Sequence, residues 1–128
     1  MLTSAEIAAI AAKALDDKKA KDIKVLKTDG QTVLADYFVI CHGNTSTHIK
    51  ALVDEVDKQL SQSGEPPIRR EGLRSDIWVL MDFGCVIVHV FTDEARKFYN
   101  LERLWSDAEV VDPAALPLPV KADDPSSL

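Results

Sequence analysis

Apolar positions recur in two rhythms along this chain, and the points where the rhythm changes mark its elements. Over residues 3–19 Ile7, Ile10, Ala14 and Leu15 return at helical spacing. Thr3 with Glu6 forms a capping box, and Lys18 and Lys19 suit the helix C-terminal end. A short β-prone run follows at 23–28, then the turn signal Asp29-Gly30. Residues 33–41 read as a mostly buried strand around Tyr37-Phe38 and Val39-Ile40. Gly43-Asn44-Thr45-Ser46 breaks it, with Asn44 or a neighbouring hydroxyl capping the next helix. There Ile49, Leu52, Val53, Val56 and Leu60 form one apolar stripe, and Asp54 with Lys58 makes an exposed i,i+4 pair. Gly64 stops this helix and Pro66-Pro67 forbids its resumption.

Beyond the prolines the period drops to two. Residues 68–71 have room for a short strand, and 72–76 form a polar loop containing Arg74. Strands at 77–82 and 86–91 meet near Gly84. Thr92 caps a short helix with Asp93 and Glu94 in its first turn. After Val111 prolines stand at 113, 117, 119 and 125, so 112–128 reads as an extended or disordered tail on a domain of residues 1–111. The order predicts an α/β fold, a small mixed β-sheet with helices packed on it.

The hairpin allows a sharper inference. A two-residue turn centred on Phe83-Gly84 pairs Leu80 with Ile87; one centred on Gly84-Cys85 pairs Leu80 with His89. In both registers Trp78, Leu80 and Asp82 share a face with Ile87, His89 and Phe91. Ile77, Val79, Met81, Val86, Val88 and Val90 form the other, purely aliphatic face, which belongs against the helices. The mixed face suits a surface that a partner covers, with tryptophan and phenylalanine as anchors. Its alternative is a Trp78 tucked under the C-terminal segment. In the charged stretch that follows, Phe98, Leu101, Leu104 and Trp105 read as core, and Arg96 and Tyr99 as outward.

Composition narrows the function classes. A chain of 128 residues with 46% hydrophobic content is long enough for one well-cored domain. No apolar run is long enough to span a membrane, and the start lacks a secretory pattern. Cys41 and Cys85 make no disulfide framework, so a cytoplasmic setting is expected. The net charge of −6 argues against a general nucleic-acid binder and fits a basic protein partner.

Candidate chemistry is sparse. Asp82-Phe83-Gly84 matches a kinase tripeptide, but the chain has no glycine-rich loop, no partner lysine strand and no catalytic loop. A nucleotide-binding or nucleotidyltransferase-like enzyme is the alternative class, yet no Asp-x-Asp pair lies on a predicted strand to gather magnesium. Cys41 and His42 are adjacent and point to opposite faces, and no metal-ligand spacing links the histidines. No enzyme, metal or cofactor is expected.

The run ADYFVICHGNTSTHIKALVDEVDKQL at 35–60 and the run WVLMDFGCVIVHVFTDEARKFYNLERLW at 78–105 resemble the ribosomal silencing factor, or iojap-like, family. Together these two runs make up 54 of the 128 residues; Cys85 stands where the family commonly has an acidic residue. The resemblance implies a nucleotidyltransferase-like topology. It also implies binding to the large ribosomal subunit through ribosomal protein uL14, which blocks joining of the small subunit and represses translation. Trp78 and Leu80 would then be anchors, Asp82 and Glu102 partners for basic residues, and Arg96 and Tyr99 the rim, with His89 an interface or semi-buried histidine. A homodimer through the same face is a further reading.

Overall fold

The computed structural model describes residues 2–28, 35–72, 77–104 and 106–118, with the side chain of Leu104 excepted. A first helix, α1 (Ser4–Asp17), opens on the expected capping box, with Thr3 accepting from the Glu6 amide. Two antiparallel strands follow, β1 (Lys21–Lys27) and β2 (Tyr37–Gly43). Helix α2 (Ser46–Gln62) is capped by the Thr45 hydroxyl, and all five residues of its apolar stripe are buried. Asp54 on this helix turns to Arg70 at 3.4 Å. Strands β3 (Arg69–Glu71), β4 (Trp78–Asp82) and β5 (Val86–Thr92) then lead into the short helices α3 (Asp93–Tyr99) and α4 (Leu101–Leu104), and β6 (Glu109–Val111) closes the order.

Among the described residues six strands form one sheet in the order β3-β4-β5-β2-β1-β6. The β2–β5 pair is parallel and every other pair antiparallel, so the sheet is mixed as expected. One face lies under α1 and α2. Val79, Met81, Val86, Val88 and Val90 are buried there with Leu15, Leu52, Val56 and Leu60. The opposite face carries a second, smaller core of Leu26, Phe38, Ile40, Phe91, Ala95 and Ala108, with Trp78, Ile87 and Leu101 at its margin. Burying one aliphatic and one aromatic layer on a single sheet is the three-layer solution available to a chain of this size.

Several expectations shift. The second strand starts at Tyr37 rather than at 33; residues 33 and 34, the turn at Asp29-Gly30 and the loop residues 73–76 with Arg74 lie outside the described residues. The chain stays with the body after Val111: Asp112 caps a 3-10 turn at Pro113–Ala115, and Leu116 packs against the helix-side core. Residues 119–128 lie outside the described residues. Ile77, assigned to the buried face, is 45% exposed. Phe98, assigned to the core, is 82% exposed, and Arg96, expected outward, is only 6% exposed. Leu101, assigned to the core, is half-buried at its margin, and the Leu104 side chain and Trp105 lie outside the described residues.

Candidate docking face

The hairpin settles the register. Leu80 pairs with His89, Trp78 with Phe91 and Asp82 with Ile87, which centres the turn on Gly84-Cys85. The Phe83 amide donates to the Val86 carbonyl at 2.9 Å across it. Gly84 has φ +85, a conformation that a side chain at that turn position would resist. The Asp82 carboxylate accepts from the Gly84 amide at 2.7 Å and from Arg69 Nε at 3.2 Å. This carboxylate therefore braces the turn and the β3 edge.

Trp78 is half-buried at the end of β4. Its ring lies 5.1 Å from Phe91 and 4.7 Å from Tyr99, and its Nε1 donates to His89 Nδ1 at 3.2 Å. The backbone at Gly72 passes so close to the Trp78 carbonyl that a Cβ there would lie 2.0 Å from it. Tyr99, 43% exposed, meets Phe98 edge-on at 5.1 Å. The result is a run of rings from the second core outward through Phe91 and Trp78 to Tyr99 and Phe98. Large rigid rings bury much area at little entropic cost, which makes such a run suited to protein contact.

A charge network fixes the helix that carries this run. Arg96 Nε donates to Glu102 at 2.8 Å, and Nη1 donates to His42 Nδ1 at 2.9 Å and to the Lys21 carbonyl at 3.3 Å. Glu102 also meets Lys24 at 3.2 Å. Burial pushes the Glu102 carboxyl up, but the hydrogen bond and charge of Arg96, with Lys24, outweigh it and hold the group below its ordinary value. His42 is pulled down, first by burial and then by the Arg96 charge, so it stays neutral and able to accept.

The expected residues Trp78, Leu80, Asp82, Tyr99 and Glu102 thus gather on one side of the sheet with surface to spare, whereas His89 and Arg96 lie beneath it. Phe98 is the member that sequence reasoning missed. Spacing alone held no signal for it, because the phase of α3 is set by the burial of Ala95 and Arg96, which only the fold reveals.

Among the described residues no group of three or more His, Cys, Asp or Glu side chains converges to hold a metal. Cys41 is fully buried on the helix side, and burial pushes its thiol up to about 12. A cleft of about 550 Å³ opens elsewhere, between α1 and the segment from Asp112 to Leu118. No helix among the described residues is long and apolar enough to cross a membrane.

The body is a three-layer α/β fold with one sheet face buried under α1 and α2 and the other only partly covered, with a run of rings at its surface. Residues 2–127 match the family described as "Ribosomal silencing factor during starvation", and the chain belongs to that family. It is 46% identical over 103 residues to the ribosomal silencing factor RsfS of Bacillus subtilis, covering 80% of this chain and 87% of that protein. It is 33% identical to the "Mitochondrial assembly of ribosomal large subunit protein 1" of Mus musculus, covering 89% of this chain and 55% of that protein. A crystal structure of a Chromobacterium violaceum protein superposes with a TM-score of 0.80 at 34% identity, covering 98% of this chain and 99% of the other. The family expectation and the mixed α/β fold both stand, and the family's name places the chain's role in ribosome silencing.

Proposed function

We propose that this protein represses translation by binding the large ribosomal subunit through ribosomal protein uL14 and sterically blocking the small subunit. The observation that carries this reading is the half-covered face of Trp78, Tyr99 and Phe98 on an otherwise sealed sheet. The family's name supports the ribosome as the partner, and we assign that face to it. Trp78 and Leu80 serve as anchors, Phe98 and Tyr99 extend the contact, and Asp82 and Glu102 supply acidic rim charge to a basic ribosomal protein. The net charge of −6 favours that pairing. His89 and Arg96 support the face from below. No covalent step is involved; occupancy alone competes with subunit docking in the cytoplasm. A homodimer through the same face would compete with the ribosome for it.

The test is co-sedimentation. The pure protein should travel with isolated large subunits, not with small subunits, and should reduce formation of joined ribosomes. Trp78→Ala should weaken binding by about 2 kcal/mol or more, roughly thirtyfold. Val79→Ala, one residue along and on the sealed face, should lose stability and leave the affinity of the folded fraction unchanged. Equal binding to both subunits, or no effect on joining at saturation, would overturn the proposal.

A further inference from the structure

His89 sits in the middle of β5, 4% exposed, under the ring of Trp78. A docked protein has no access to it. Its Nδ1 nevertheless lies 3.2 Å from Trp78 Nε1. An indole nitrogen only donates, so Nδ1 must accept, and the neutral imidazole carries its proton on Nε2. That second nitrogen is buried and has no hydrogen-bond partner among the described residues. A buried donor left unpaired is destabilising, and an apolar side chain of similar size would avoid the penalty. For stability alone, then, histidine is a poor choice here. What it provides is the acceptor that ties the polar edge of the Trp78 indole.

The imidazole is itself clamped, with Phe38 at 5.1 Å and Phe91 at 6.1 Å between ring centres. A fixed acceptor transmits its orientation to its donor. We propose that His89 is a positioning residue of the docking face: it holds the Trp78 indole in one orientation before the partner arrives and never touches that partner. The proposal rests on the reading of Trp78 as a docking anchor. An anchor already held in place loses less conformational freedom on binding, and releasing one such side chain weakens affinity by about two- to tenfold. Burial keeps the imidazole in the neutral form that the role needs.

The test compares His89→Leu with His89→Asn in the full chain. Leucine fills the space without an acceptor, whereas asparagine restores a polar atom near the Nδ1 position. The indole N–H of Trp78 is followed by proton–nitrogen NMR in the free protein, assigned with Trp78→Phe because the chain has two tryptophans. We expect slow solvent exchange of that proton in the parent and in His89→Asn, and fast exchange in His89→Leu. Binding to isolated large subunits should fall two- to tenfold in His89→Leu and recover in His89→Asn, while His89→Leu stays as stable as the parent or more so. Loss of binding with an unchanged indole signal would overturn the positioning role. So would a released indole with unchanged binding while Trp78→Ala binds poorly. If Trp78→Ala binds normally, the anchor reading fails and the positioning role falls with it, although the NMR result on the hydrogen bond still stands.

Discussion

On the helix side of the sheet, Val79, Met81, Val86, Val88 and Val90 disappear under α1 and α2. On the other side, one residue along the same strands, Trp78, Leu80 and Ile87 keep part of their surface. The helices on this second side are short, seven and four residues, and α3 packs on β5 and β2, reaching β4 through Tyr99 and Trp78. Alternation along a strand puts stability on one face and leaves the other available. The first face uses aliphatic side chains with no polar requirement. The second uses rings and a buried histidine whose polar atoms are only partly matched.

The largest expected effect breaks the sealed side. Leu52 is fully buried between α2 and the sheet. Leu52→Ala should lower the unfolding free energy by about 2–5 kcal/mol, through lost transfer energy and the cavity left behind. Urea denaturation measures it, and subunit binding per folded molecule should not change. A loss below about 1 kcal/mol would mean that the helix layer is looser than its packing indicates, and the contrast between the faces would weaken.

The difference between the faces also governs what the sequence could convey. The α2 stripe was legible in full because helical spacing is a local property, and all five residues of it are buried. The two faces of the hairpin were legible for the same reason, since both candidate registers preserve them. Periodicity could not choose between the registers, and the turn that forms has Asp82 accepting from the Gly84 amide. Arg96 could not be placed from spacing. Its partners Lys21, His42 and Glu102 come from three separate segments, and the Lys21 contact spans 75 positions in the chain. Exposed arginine is the common case, and only the folded network overrides it. Prolines after Val111 suggested an extended or disordered tail, yet Asp112 caps a turn there and Leu116 packs against the core. A three-residue edge strand such as β6 is too short to show a period.

A smaller effect concerns acid. Burial pulls the His89 imidazole down to about 4 from an ordinary 6.5. Between those values the unfolded chain binds a proton that the folded chain refuses, so stability falls as pH falls. This contribution is complete above pH 6.5, declines as pH drops toward about 4, and levels off below that; it amounts to about 3 kcal/mol. His42, lowered first by burial and then by Arg96, adds the same sign in the range below its ordinary value. Glu102, also held low on balance, adds its loss further down as its own carboxyl protonates. Urea midpoints measured from neutral pH down to about pH 4.5 should fall more steeply for the parent than for His89→Leu. Equal slopes would assign the acid sensitivity elsewhere.

The smallest stability effect, and the most discriminating, belongs to Phe98. It is 82% exposed and meets Tyr99 edge-on at 5.1 Å, so removing it leaves no cavity. Phe98→Ser should change stability by no more than about 0.5 kcal/mol, as surface substitutions generally do. Serine forfeits only the edge contact with Tyr99, and a ring this exposed is poorly suited to water. If the ring-lined face is the docking surface, the same variant should weaken binding to large subunits by about 1 kcal/mol, roughly fivefold. The pair of measurements separates the two faces in one residue: stability untouched, affinity reduced. Unchanged affinity would confine the contact to Trp78, Leu80 and Tyr99 and place α3's outer side away from the partner. A marked loss of stability would show that Phe98 packs against the body after all.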